Sequence, residues 1–134
     1  TCIRLGSRLS FASDICNDHI DNELMQAFRQ LRSAIKSQPF CERSKECDEY
    51  RSNPYWGTML EMAARAYDKY IIVKLDKLGW HNDYLVNINS CLEYEVPAKY
   101  PYPTDKENEY LTPYFDQLLK VYFSTVLTEE LIAV

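Results

Sequence analysis

Residues 53–79 read NPYWGTMLEMAARAYDKYIIVKLDKLG, and this stretch decides the fold class. Asn53 is a favoured N-cap, and Pro54 suits the first helical position, where its missing N–H costs nothing. At the far end, Gly79 can take the left-handed conformation that stops a helix. Between them Trp56, Leu60, Ala63, Tyr67, Ile71, Leu75 and Leu78 recur at helical spacing, and Tyr55, Met59, Met62, Ala66, Tyr70 and Val73 form a second stripe beside the first. Two adjoining stripes make an apolar face too wide for a single neighbour. Residues 54–78 are therefore expected to form the long central helix of a bundle, with Trp56, Leu60, Tyr67 and Ile71 buried. The remaining strip holds Thr58, Glu61, Arg65, Asp68, Lys69 and Asp76, with Glu61 and Arg65 as a favourable i,i+4 pair. Ile72 interrupts that strip. Either another segment of the chain covers it, the proline–tyrosine stretch with Tyr100 and Tyr102 being the obvious candidate, or it marks a protein interface.

Outward from this helix the chain supplies further helical segments. Asp21 is placed to cap a helix whose stripe is Leu24, Phe28, Leu31 and Ile35, running to Ser37 and ended by Pro39. Acidic residues stand at its start and basic ones (Arg29, Arg32, Lys36) toward its end, as the helix dipole favours. Residues 7–16 read as a short helix with Phe11 and Ile15 on one face. Beyond Gly79, Asp83 is a possible cap for a helix to about Tyr94, although residues 84–91 also fit an extended reading. Residues 96–104 hold Pro97, Pro101 and Pro103 interleaved with Tyr100 and Tyr102, a pattern that favours an extended, polyproline-like connector. Thr104 with Glu107 resembles a capping box. Thr112-Pro113 offers a second helix start, followed by Phe115, Leu118, Leu119, Tyr122 and Val126, with residues 128–130 opening a final short turn. The fold class expected is all-α, an irregular four- to five-helix bundle in one domain over residues 1–134.

The chain's 134 residues suit one core. Its 3 glycines argue against a turn-rich all-β fold. Five cysteines (Cys2, Cys16, Cys41, Cys47 and Cys91) are many for a reduced domain of this size, and they favour a secreted, disulfide-braced protein. Cys41 and Cys47 bracket the polar residues 42–46 and are expected to close a loop there. Cys2, Cys16 and Cys91 then compete for a second bridge, and the odd thiol is either buried or bonded to a partner chain, giving a dimer. No signal peptide is visible, and Thr1-Cys2 is compatible with the end left by removal of one.

The net charge of −5 is unevenly placed. Residues 93–134 carry 3 basic and 8 acidic side chains, so the whole excess lies there. An acidic chain without a basic stripe is a poor binder of nucleic acid or anionic membrane, and no apolar run is long enough for membrane insertion. His19 and His81 lack the neighbours of a catalytic set. No CxxC pair, calcium loop, glycine-rich phosphate loop or nucleophile elbow occurs, so no catalytic, cofactor or metal site is expected. Of 11 tyrosines, six stand in the acidic C-terminal third. Tyrosine combines apolar area with a polar tip and is enriched in interfaces.

The reading favoured is a secreted, non-enzymatic helical protein that binds another protein, in the manner of a cytokine, effector or recognition factor. Ile72, Tyr100 and Tyr102 are its candidate interface residues. The alternatives are a carrier of a small apolar ligand, with Met59, Met62, Tyr67 and Tyr70 lining an interhelical cavity, and an intracellular helical interaction module with reduced thiols.

Overall fold

The structure, a computed structural model, describes residues 2–5, 8–11, 23–80 and 96–132, with backbone alone for the strands and for residues 97, 126 and 128–132. Four helices build the core among these residues: α1 (Glu23–Ser37), α2 (Pro39–Glu46), α3 (Met59–Lys77) and α4 (Asp105–Ile132). A 3-10 turn, Pro97–Lys99, precedes α4. The helical fold expected from periodicity is therefore present. Among the described residues disulfide bracing is not: Cys41 and Cys47 are both free. The reason is geometric. The segment between them is helix α2, not a loop, with Cys47 as its C-cap. Six residues of α-helix rise about 9 Å, beyond the roughly 7 Å that a disulfide tolerates between Cα atoms. The Cys2 side chain, Cys16 and Cys91 lie outside the described residues, as do Asp21 and the helix expected near residues 83–94.

At the start of the chain, strands β1 (Cys2–Leu5) and β2 (Arg8–Phe11) pair antiparallel, with Leu5 opposite Arg8 and Cys2 opposite Phe11. Of the expected helix over residues 7–16, residues 8–11 are thus strand, and the others lie outside the described residues. Ile3 and Leu5, then Leu9 and Phe11, alternate with polar neighbours, and a period of two suits a strand better than the longer helical spacing.

Helix α1 follows the sequence closely. Leu31 and Ile35 of the expected stripe are buried, with Leu24 and Phe28 packed partly against the core. Pro39 ends it and at once opens α2, with Gln38 as an extended N-cap between them. Helix α3 begins later than Asn53-Pro54 suggests. Its N-cap is Thr58, whose hydroxyl accepts the Glu61 N–H at 3.4 Å. Its end matches expectation: Gly79 has φ +76°, its N–H donates to the Asp76 carbonyl, and the Trp80 N–H reaches back to Leu75. These two bonds form a Schellman motif.

Helix α4 opens on the expected capping box. The Thr104 N–H donates to Glu107 Oε2 at 2.8 Å, and the Glu107 N–H to Thr104 Oγ1 at 3.4 Å. It then runs unbroken through the exposed Pro113 to Ile132, so neither Thr112-Pro113 nor residues 128–130 start a new helix. Pro113 forgoes one backbone bond in a helix of 28 residues, whose inner face is held by Leu111, Phe115 and Leu118.

Helix α4 packs chiefly along α1 and then against α3. The shared core combines Ala27, Leu31, Ala34 and Ile35 of α1, Phe40 and Cys41 of α2, and Met59, Met62, Ala66 and Tyr70 of α3 with that inner face of α4. On α3 it is the second stripe that is buried. Trp56, Leu60 and Ile71 are only half-buried, and Tyr67 is exposed, so the expected burial of those four residues is corrected. The supposed solvent strip is partly inside: Arg65 and Lys69 are each 5% exposed and Ile72 8%.

Candidate protein-interaction surface

The site is built around residues 47–58, which join α2 to α3, and residues 96–104, which lead into α4. Two carboxylates and two arginines hold them. Asp48 accepts the N–H groups of three successive residues: Tyr55 at 3.0 Å, Trp56 at 3.1 Å and Gly57 at 2.7 Å. Desolvation works against its charge, but these amide bonds outweigh it and hold the carboxyl below its ordinary range. Gly57 passes close to α2. A Cβ there would lie 3.1 Å from the Lys45 Cα and 3.3 Å from Asp48 Oδ2, so only glycine fits without a shift. The loop is therefore pinned along its second half.

Arg65 turns away from the surface pairing expected with Glu61. Its Nε donates to the Glu61 backbone carbonyl, and its guanidinium reaches the carbonyls of Trp56 and Pro101 and the buried Ser44 hydroxyl. The Trp56 and Phe40 rings flank it, at 5.0 and 5.5 Å from the guanidinium carbon. Burial pulls its pKa below the usual arginine value. Arg43 makes the matching contacts from α2. It donates to the carbonyls of Tyr100 and Tyr102, each at 3.1 Å, and forms a bidentate pair with Glu107 at 2.7 and 2.9 Å. Glu107 also accepts the Phe40 N–H at 2.7 Å, so one carboxylate caps α4 and the first turn of α2 together. Burial opposes its ionisation, but the bonds from Arg43 and Thr104 prevail and its pKa is lowered.

On this base stand exposed aromatic and cationic side chains. Tyr50 is 88% exposed, with Lys99 Nζ 5.9 Å from its ring centre. Tyr55 is 42% exposed, lies under the Arg51 guanidinium at 5.4 Å and meets Trp56 edge-on at 5.2 Å. Arg, Tyr and Trp are the residue types that dominate binding energy at protein interfaces.

Of the interface residues read from sequence, Tyr100 is fully buried, Tyr102 half-buried with its ring 5.9 Å from Tyr100, and Ile72 buried outside the main core cluster. The structure brings Tyr100 and Tyr102 together on the inner side of the surface. Tyr50 and Arg51 were missed because isolated loop residues have no periodic signal, and Tyr55 because its spacing assigned it to an apolar helix stripe. Arg65 was missed because arginine on a helix reads as solvent-facing, and Arg43 because residues 42–46 read as a polar loop. Of the proposed cavity residues, Met59 lines a cleft between α1 and α3 with Phe28, Leu31, Arg32, Ile35 and Ala63. Its volume of about 30 Å³ compares with the roughly 300–1,000 Å³ of ligand pockets. Among the described residues no cluster of His, Cys, Asp or Glu is arranged to hold a metal, and no helix is long and apolar enough to cross a membrane.

Residues 47–126 match the family described as large polyvalent protein-associated domain 1. The chain belongs to this family. The matched segment starts at the braced loop and includes α3, the connector and most of α4, while α1 and α2 precede it. No curated protein and no solved structure matches the chain.

Proposed function

We propose that the chain is a non-enzymatic helical module that binds another protein through the surface carried by residues 47–58 and Lys99. One observation supports this above the others: Tyr50, Arg51 and Tyr55 are exposed on a loop whose second half Asp48 and Arg65 pin from beneath. Aromatic anchors on a fixed backbone bind with little loss of conformational freedom, which is what separates a binding patch from incidental exposure. The family description ties such domains to large polyvalent proteins, and this supports reading the chain as one interaction module among others. An extracellular setting rests on the count of five cysteines; Cys41 and Cys47 are free, which leaves Cys2, Cys16 and Cys91 as its support, and the module reading stands with or without it.

The test is a paired binding measurement. A partner captured by the wild-type chain is purified and titrated against wild type, Tyr50→Ala and Arg51→Ala by calorimetry. Tyr50 is 88% exposed, and Arg51 is half-exposed and meets Asp48 at 3.6 Å in a surface ion pair of small worth, so melting temperatures should stay within about 2 °C of wild type. Each substitution should weaken binding at least tenfold, about 1.4 kcal/mol. Unchanged affinity in both variants rejects this surface.

A further inference from the structure

Four successive carbonyls of the connector each accept a hydrogen bond from a side chain of α2 or α3. The Lys99 carbonyl accepts from Cys47 Sγ at 3.3 Å, those of Tyr100 and Tyr102 from Arg43, and that of Pro101 from Arg65. Tyr100, Pro101 and Pro103 are buried and Tyr102 is half-buried. Alternate prolines have no N–H to offer, so a segment of this kind is held through its carbonyls and its apolar rings. A docked proline-rich peptide is recognised in the same way.

We propose that the cleft between α2 and α3 is a peptide-binding groove for a segment with proline at alternate positions, filled in this structure by the chain's own residues 99–103, which leave the 3-10 turn at Lys99 and then form no helix or strand. The ligand in trans is a stretch of a partner protein with the same alternation. Arg65 carries much of the case. A buried guanidinium is costly to desolvate, and here its hydrogen bonds go to carbonyls and a hydroxyl, without a bidentate carboxylate. An apolar side chain of similar volume serves packing alone better. A row of N–H donors facing a peptide backbone serves recognition, and the match is one of charge: cationic donors in the groove, carbonyl dipoles on the segment. The groove is distinct from the Tyr50–Tyr55 surface. The two meet at Arg65, which also binds the Trp56 carbonyl, so Trp56 sits where occupancy of the groove can be read.

The experiment uses the full chain with Trp80→Phe, which leaves Trp56 as the one tryptophan. Acetyl-Lys-Tyr-Pro-Tyr-Pro-Thr-amide, the sequence of residues 99–104, is titrated while Trp56 emission is followed. Acetyl-Lys-Tyr-Ala-Tyr-Ala-Thr-amide is the control, with both prolines replaced by alanine. The Tyr100→Ala variant loosens the internal segment; if it does not fold, the half-buried Tyr102→Ala takes its place. The matching peptide should bind the loosened variant about tenfold more tightly than it binds the unaltered chain, and about tenfold more tightly than the alanine peptide binds. Arg65→Gln or Arg43→Gln, whichever keeps the helical circular dichroism signal, should remove the difference between the two peptides. Equal binding of both peptides, indifference to the arginine substitution, or no saturable change at millimolar peptide on a folded loosened variant overturns the proposal.

Discussion

Glu107→Ala is the sharpest test of how this fold is held. The carboxylate accepts four donors: the buried Phe40 N–H, two N–H groups of Arg43 and the Thr104 N–H, all at 2.7–2.9 Å. Leaving the Phe40 N–H without an acceptor costs about 1–3 kcal/mol. Removing one partner of a buried ion pair costs about 3–5 kcal/mol, but the Arg43 side chain keeps 16% of its exposure and its two carbonyl partners, which favours the lower end. These losses share one carboxylate and are not additive, so about 4 kcal/mol is expected in all. Glu107→Gln keeps an acceptor but turns an amide donor toward the guanidinium, and about 2 kcal/mol is expected. In urea unfolding followed by circular dichroism, an m-value near 2 kcal/mol/M places the midpoint about 2 M lower for alanine and about 1 M lower for glutamine. The pH dependence follows in sign. The folded pKa of Glu107 lies below its ordinary value of 4.5. Its contribution is therefore complete above that value and is lost as pH falls through the lowered folded value. The gap between wild type and Glu107→Gln should be constant from neutral pH down to about 5 and should close below about 4.5. A loss under about 1 kcal/mol for Glu107→Ala, or a gap that persists in acid, refutes the reasoning.

Three further outcomes are expected. Gly79→Ala should cost about 1 kcal/mol, entirely through its φ of +76°, because a Cβ there meets nothing within 4 Å; a neutral result in thermal melts would count against the Schellman end of α3. Ile72→Lys should lower stability by more than about 1 kcal/mol, since a charge replaces a side chain 8% exposed; retained stability with altered self-association would move Ile72 back to a partner surface. In the native chain iodoacetamide should modify the half-buried Cys47 well before Cys41, which is 3% exposed, and a non-reducing peptide map should lack a Cys41–Cys47 link.

Much of the architecture was legible where one physical cause acts alone. The stripe of α1, the glycine stop of α3 and the Thr104–Glu107 box are local devices, and each stands where the residues place it. The misread elements are those where two local signals compete. Asn53-Pro54 and Thr58-x-x-Glu61 are both helix openings; the second holds because Asp48 has already taken the N–H groups of residues 55–57 into a turn. The polar stretch between Cys41 and Cys47 resembles a disulfide loop, but Pro39 at the first helical position, with Glu107 capping Phe40 from 67 residues away, makes it a helix. No reading of residues 39–47 in isolation contains that carboxylate.

The rotation of α3 shows why the candidate site was the least legible part. Counting apolar residues assigns the helix two buried stripes and leaves Arg65 and Lys69 to solvent. In the folded chain one stripe and much of the polar strip are inside, while Tyr67 is 40% exposed. What turns the helix is the supply of partners for its polar groups, and a hydrophobicity pattern does not record that. Residues 99–102 bring backbone carbonyls that pair with side chains and not within a sheet or helix, and Arg65 brings donors that need acceptors. Lys69 likewise finds Asp105, at 2.9 Å, at the start of α4. Each group would be costly to bury alone, and together they are satisfied. The same pairing fixes the Trp56 carbonyl, and through it the loop that carries Tyr55 outward. The interior of the connector and the exposed aromatic surface are thus two sides of one arginine-centred arrangement. A change that frees the connector should reach the surface by way of Arg65 before it disturbs the α1–α4 core, in which Arg65 has no part.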